Sequence, residues 1–249
     1  MTTNLYSDAR PEDGPLATPA IAMTIGAHPD DAEFGAAGTL GRWAQQGCAI
    51  TMVILTDGSK GTWNETMPND DLIAARRAEQ RRAADVIGAG EVIHLDHVDG
   101  ELELTPGLRQ DLARLIRAYR PQVVLGHDPW RRYMLHPDHR AAGFALVDAV
   151  VAARDHLFYP EQGLAKHRPD ALLLWQADEP DHHEDIASTF ELKVRALLSH
   201  SSQTSTTMGG AGESPEARAR FVERMSSLAA AQGEAAGLAM AEAFKLIRP

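Results

Sequence analysis

From residue 20 onwards, apolar stretches and amphipathic stretches take turns along the chain. "AIAMTIGA" (20–27), "CAITMVIL" (48–55), "EVIHL" (91–95), "PQVVLGH" (121–127) and "ALLLWQ" (171–176) are short, apolar and bounded by Gly, Pro or Asp. Runs of that length and character suit strands buried on both faces, as in a parallel sheet. Between them the spacing predicts helices over 36–46, 70–88, 107–119 and 138–154. In the third, Leu108, Leu112, Leu115, Ile116 and Tyr119 recur at offsets of three and four, while Arg109, Asp111, Arg114 and Arg117 take the other faces. This alternation predicts an α/β fold, a Rossmann-like three-layer α/β/α sandwich around a mostly parallel sheet of at least five strands.

Beyond 176 the pattern changes. A polar loop "ADEPDHHED" (177–185) leads to a helix near 186–199, then to "SSQTSTTMGGAGESP" (201–215), which reads as an exposed loop with the character of a lid. Two alanine-rich helices over 215–231 and 234–246 then make residues 204–249 a C-terminal helical extension. Residues 1–18 are polar and proline-bearing, as in an extended arm. One domain over residues 1–249 is expected, since 44% hydrophobic content supplies a sizeable core.

Composition narrows the partners. With 24 Lys+Arg against 35 Asp+Glu the formal charge is -11, which repels phosphate backbones and anionic lipid surfaces, so neither nucleic acid nor membrane is expected. No apolar run approaches the roughly 20 residues that span a bilayer, and the first residues lack the apolar core of a signal peptide. Cys48 is the one cysteine, so no intrachain disulfide can form. A soluble cytoplasmic protein is expected. Assembly state is not set by the sequence, although α/β enzymes often self-associate.

The chemistry lies in two clusters. "AHPDDAEFG" (27–35) places His28, Asp30 and Asp31 at the end of the first strand, although adjacent aspartates repel and form strands poorly. "YMLHPDHR" (133–140) places His136, Asp138 and His139 just after the fourth. In a 3-2-1-4-5 strand order the first and fourth strands are neighbours, so both clusters face the crevice where such sheets bind ligands. A catalytic zinc takes three protein ligands and leaves a place for water. His28 and Asp31 with one histidine of the second cluster would supply them, leaving Asp30 free as general base. No Gly-x-Gly-x-x-Gly follows the first strand, so a nucleotide cofactor is disfavoured. His182 and His183 read as solvated, His94 and His97 as structural or substrate-facing, and His127 stays ambiguous. Tyr133, just before the second cluster, could donate a hydrogen bond to substrate, and "TDGSKG" (56–61) reads as a turn at the crevice mouth.

"AHPDDAEFGAAGTL", "ILTDGSKGT", "RRAEQRRAADVIGAGEVIHLDHVDGEL", "RPQVV", "HPDHR" and "DIASTFELKVRALLSHSSQ" together resemble the PIG-L/LmbE-like family of metal-dependent N-acetyl-sugar deacetylases over about residues 20–203. The resemblance implies His28, Asp31 and His139 as zinc ligands and Asp30 as general base. It casts His136 as the group that stabilises the oxyanion or protonates the amine, with Asp138 tuning it, and aligns Arg76 and Asp99 with sugar-contacting segments. One departure is that the family commonly has Glu directly after the two aspartates, whereas this chain has Ala32 and then Glu33.

The expected reaction is hydrolysis of an acetyl or other acyl group from an N-acyl amino sugar or related conjugate, with Zn2+, or Fe2+ or Co2+, lowering the pKa of a bound water that Asp30 deprotonates. Two rivals stand beside it: a non-catalytic metal- or sugar-binding module, and a metal-dependent phosphoesterase on the same fold.

Overall fold

The computed structural model describes residues 16–249. Most of the expected arm over 1–18 therefore lies outside the described residues.

Five strands, β1 (Ile21–Gly26), β2 (Ala49–Thr56), β3 (Glu91–His97), β4 (Val123–His127) and β5 (Ala171–Trp175), pair in parallel in the order β3-β2-β1-β4-β5. Helices connect them: α1 (Asp31–Gln45), α2 (Asn69–Ile87), α3 (Pro106–Tyr119) and α4 (Pro137–Arg154). Successive strand residues point to opposite sheet faces. Ala22, Ile50, Met52, Val123, Leu125 and Leu173 pack on Leu40 and Trp43 of α1 and Ile87 of α2. Met23, Ile25, Val53, Val124 and Leu172 pack on Leu108, Leu112 and Ile116 of α3 and Leu146 of α4. The three layers follow from those two apolar faces, and the switch between β1 and β4 stands where the strand order predicted.

The C-terminal part departs from the sequence reading. The polar stretch contains a short strand, β6 (His182–Asp185), followed by α5 (Phe190–Leu198). Residues 201–215 are not a free lid, because Met208 and Ala211 are buried in a third apolar cluster with Phe190, Phe221 and Met225. Only one helix closes the chain, α6 (Pro215–Glu234). The second expected helix over 234–246 is instead β7 (Ala241–Ile247), antiparallel between β5 and β6. Gly237, at φ 68°, breaks the helical path beyond α6, and the two neighbouring strands supply β7 with backbone partners on both edges. Pairing of that kind overrides the helix propensity of alanine.

A buried ion pair ties β7 to the sheet's helical layer. The Glu242 carboxylate accepts from Gly38 N (3.0 Å), Thr39 N (2.8 Å), Thr39 Oγ1 (2.6 Å) and Lys193 Nζ (2.6 Å), while the same ammonium donates to Phe34 O (2.7 Å). Phe34 O and Gly38 N are the groups an α-helix would join to each other. The pair thus bonds the middle of α1 to α5 and β7 at once.

Candidate active site

β1 delivers Ala27 to the carboxyl edge of the sheet, where its carbonyl accepts from Thr56 N (2.9 Å) and Thr56 Oγ1 (2.8 Å). The chain then turns sharply into α1 through Asp30, whose φ of 96° is a strained value for a residue with a side chain, tolerated best by Asp, Asn and Gly. Asp31 Oδ2 accepts from His28 N (2.7 Å), closing the turn. From β4, the segment 128–136 leads into α4, so that His136 stands at the N-cap position of that helix and Asp138 and His139 lie in its first turn.

The two clusters meet. His139 Nε2 lies 3.3 Å from Asp31 Oδ1, and His28 Nδ1 lies 3.4 Å from Asp31 Oδ2. A donor atom from each of His28, Asp31 and His139 lies within 4.8 Å of the others. His28, Asp99 and His136 make a second group of the same span, but it would draw on His28 Nε2, which already faces Asp138 Oδ2 at 3.0 Å and Asp99 Oδ1 at 3.2 Å. A histidine ligand whose far nitrogen is held by a carboxylate is the usual support of a bound metal. That arrangement corrects the expected partner of Asp138: its carboxylate is fully buried against His28, Gly100 N (2.7 Å) and Leu102 N (3.2 Å), and so orients His28 rather than His136.

Four carboxylates gather around the histidines. Asp30, Asp31, Asp99 and Asp138 are all buried, and Arg76 is the one permanent cation within 4 Å of any of them among the described residues. Burial alone would lower the pKa of His28, yet hydrogen bonds to Asp138, Asp31 and Asp99 hold it well above the usual histidine value. Burial would raise Asp31, but the imidazoles of His139 and His127 hold it well below the carboxylate range. Burial dominates at Asp30 and pushes it up to about 6, against the pull of Arg76 and His200. Oδ2 of Asp30 has no hydrogen-bond partner. His136 is exposed, stacked 4.7 Å from His139, and lowered by partial burial and by repulsion from His28 and His139.

His127, ambiguous in the sequence, belongs to the site. It ends β4 in register with Trp175, the last residue of β5. Trp175 Nε1 donates to His127 Nδ1 (3.1 Å), and an indole N–H can only donate, so Nδ1 is the acceptor and Nε2 carries the proton. That Nε2–H faces Asp31 Oδ2 at 3.0 Å. Asp31 Oδ2 is thereby engaged by His28 N and His127 together, while Oδ1 is turned to His139.

The substrate contacts expected of Arg76, Asp99 and Tyr133 divide. Arg76 is 3% exposed and donates to Pro29 O (2.7 Å) and Gly58 O (2.9 Å), 3.7 Å from Asp30 Oδ2, so it braces the turn at Pro29–Asp30. Asp99 is brought beside His28. Tyr133 is not brought to the cluster: it sits at φ 59° on the outer turn before His136, and 91% of it faces solvent.

A model of the PIG-L family, described as GlcNAc-PI de-N-acetylase, matches residues 23–150, just over half of the chain. The diacetylchitobiose deacetylase of Thermococcus kodakarensis is 35% identical over 184 residues, 73% of this chain and 69% of that one. The chain belongs to the PIG-L family. A probable N-acetyl-alpha-D-glucosaminyl L-malate deacetylase of Bacillus anthracis is 28% identical over 187 residues, covering 72% of this chain and 79% of its own. Among solved structures, an N,N'-diacetylchitobiose deacetylase from Pyrococcus horikoshii, complexed with its inhibitor, superposes with a TM-score of 0.84 at 28% identity, over 92% of this chain and 84% of that one.

In this PIG-L chain the acidic residue displaced from 32 to 33 is fully buried one helix position further on. Gln80 Nε2 donates to Glu33 Oε1 (2.7 Å) while Gln80 Oε1 accepts from Asp30 N (3.1 Å), so the carboxylate supports the turn through α2. His200, 3.7 Å from Glu33 Oε1, is fully buried too and lifted by Glu33, Asp30 and Glu79 against its burial. The following "SSQ" acts as a clamp. Ser201 Oγ and Ser202 Oγ each donate to Glu79 at 2.6 Å, and Gln203 Nε2 donates to Gly61 O (2.8 Å). The "TDGSKG" turn needs its glycines for Arg76: a Cβ on Gly58 or Gly61 would stand 2.7 or 2.3 Å from the guanidinium.

Proposed function

We propose that this protein is a metal-dependent hydrolase that removes the acetyl group from an N-acetylated amino sugar or a conjugate of one. The observation that carries the reading is Asp30: a buried carboxylate with one unpartnered oxygen, adjoining the His28–Asp31–His139 donor set without belonging to it. A purely structural metal site has no use for such a spare acid. Two imidazoles and one carboxylate suit Zn2+, with Fe2+ or Co2+ as acceptable substitutes. When bound, the ion supplies a Lewis acid for the amide carbonyl and lowers the pKa of a water beside it to about 7.

The protein's own residues do the rest. Asp30, with a pKa pushed up to about 6, is ionised at neutral pH yet basic enough to take the proton of the attacking water and return it to the departing amine. His136, lowered by partial burial and by His28 and His139, is neutral near pH 7 and donates a ring N–H to the oxygen that becomes negative. Arg76 and Gln80 hold the Pro29–Asp30 backbone, so the base keeps its aim. The buried carboxylates argue against a phosphoester, whose charge they would repel, and Arg76 is committed to backbone carbonyls.

Acetate release from diacetylchitobiose and from N-acetylglucosaminyl malate, measured on protein loaded in turn with Zn2+, Fe2+ and Co2+, tests the reading. We expect acetate and free amine in equal amounts from at least one substrate. Stoichiometric metal with no acetate from any N-acetyl sugar conjugate would overturn the hydrolase assignment.

A further inference from the structure

The sheet's opposite edge, at the amino ends of β4 and β5, carries a feature that deacetylation does not use. A cleft of about 1090 Å3 is lined there by Arg120, Arg154, Lys166, Arg168 and Arg248, with His156, His167, Asp155 and Pro249. Five of the chain's 24 Lys+Arg thus converge on one cleft of a protein whose net charge is -11. They come from separate parts of the fold: the end of α3, the last turn of α4, the segment leading into β5, and the residue after β7.

Cations near helix C-termini commonly serve to satisfy carbonyls and balance the helix dipole. That duty is already met at α4. Arg117, which is buried, donates to Ala152 O (2.9 Å), Ala153 O (3.2 Å), Asp155 O (2.8 Å) and Phe158 O (2.8 Å). The side chains of Arg154 and Lys166 make no hydrogen bond or ion pair to any described residue, and neither lies within 4 Å of a carboxylate. The cleft wall is nonetheless ordered from beneath: His167 N donates to Ala153 O (2.9 Å), His167 Nε2 donates to Pro121 O (2.7 Å), and Arg168 Nε donates to Pro249 O. A preformed wall that presents Arg154 and Lys166 without counter-charges binds anions with little ordering cost.

We propose that this cleft is a second binding site, separate from the deacetylase crevice, for an anion carrying two or more adjoining phosphoryl groups. Cations drawn from four chain segments set the valence, since two joined phosphoryl groups offer them more charge and more acceptor oxygens than a single phosphate does. The site is independent of the proposed reaction, because its residues lie at the far edge of the sheet from His28 and His139.

Isothermal titration of the metal-loaded protein with pyrophosphate, inorganic phosphate and ADP, at one fixed ionic strength, tests it. Two cleft variants, Arg154→Glu and Lys166→Glu, change side chains that hold nothing in the fold. Arg218→Glu, on an exposed turn of α6, makes the same change of net charge outside the cleft. Pyrophosphate is expected to bind the parent protein, at least tenfold more weakly to each cleft variant, and within twofold of the parent to R218E. Inorganic phosphate should bind at least tenfold more weakly than pyrophosphate. ADP binding more tightly than pyrophosphate would make a nucleotide the source of the diphosphate, and equal or weaker binding the free diphosphate, both within the proposal. It is overturned by absence of pyrophosphate binding, by an affinity unchanged in R154E and K166E (binding at the catalytic metal), by equal weakening in R218E, or by phosphate matching pyrophosphate.

Discussion

Replacing Trp175 with Phe removes one donor from the heart of the site and leaves most of the packing in place. Trp175 is 1% exposed, and its indole packs so tightly against Gly35 that a Cβ there would stand 2.5 Å from the ring. Its N–H is what fixes the proton of His127 on Nε2, and that proton holds Asp31 Oδ2. In the variant, His127 Nδ1 becomes a buried acceptor without a donor, which costs about 1–3 kcal/mol. The ring then gains freedom to move its proton to Nδ1 and release Asp31. Removing such an outer partner of a ligand typically weakens metal binding 10- to 100-fold, or about 1.4–2.7 kcal/mol. Competition with a fluorescent chelator for Zn2+ measures this, and 15N NMR of the histidine ring reads the tautomer directly. His127→Gln, which keeps an N–H for Asp31, should retain more affinity than His127→Leu. An unchanged tautomer and unchanged zinc affinity in Trp175→Phe would refute the reasoning, since nothing but the indole is assigned to hold the proton.

Four further outcomes follow from the same geometry. Asp30→Asn should lower turnover about 10²- to 10⁴-fold with zinc still bound, whereas His28→Ala should lose both metal and activity; metal analysis beside acetate release separates the two. Activity of the metal-loaded enzyme should fall on the acid side as Asp30 takes a proton, at a pH below the metal-free value of about 6 because a bound cation favours the carboxylate, and an acid limb left in place in Asp30→Glu would remove it as base. The metal-free protein should change stability in the opposite sense. A carboxyl raised from 3.8 unfolded to about 6 folded contributes stability below about pH 4 that is lost as the pH rises to 6, at most about 3 kcal/mol from a shift of about 2.2 units at 1.36 each, so metal-free Asp30→Asn should melt higher than the parent at pH 8. Glu242→Ala leaves the Lys193 ammonium buried without its counter-charge and should cost about 3–5 kcal/mol in urea unfolding.

The parallel core was legible because each strand is a continuous apolar run and each helix an amphipathic one. β7 was not, because "AEAFKLI" alternates weakly and is alanine-rich, and only its two neighbours make it a strand. β6 was hidden for a related reason: His182 and Glu184 look solvated in sequence, but His182 Nε2 meets Glu184 Oε1 at 2.7 Å, and Glu184 in turn pairs with Arg42 of α1. At the site, strand order was enough to bring the two clusters together, while the choice of His139 beside His28 and Asp31 came from the family resemblance. What sequence could not give was the second layer of contacts. Asp138 looked like a partner for His136, two residues away, yet the first turn of α4 aims it at His28. Trp175 had a detectable signal, since the strand-end rule applied to β4 applies equally to its neighbour β5, whose last residue is in register with His127.

The features that make this a site are also those that a stability-driven sequence would avoid. Asp30 holds a φ of 96°, keeps an unpartnered carboxylate oxygen, and lies beside a fully buried His200 neither of whose ring nitrogens has a hydrogen-bond partner. Buried polar atoms are otherwise nearly always satisfied, so such unmatched groups clustered around one residue point to a requirement other than folding. A cation among Asp30, Asp31, Asp99 and Asp138 offsets much of that penalty, because it binds the folded chain and not the unfolded one. On the proposed reading, the fold tolerates a desolvated carboxylate at Asp30 because positive charge taken up by the neighbouring donor set compensates it. With zinc present, loss of a metal ligand should accordingly destabilise the fold by the binding energy it forfeits, and should lower the melting temperature more than Asp30→Asn, which leaves the metal bound.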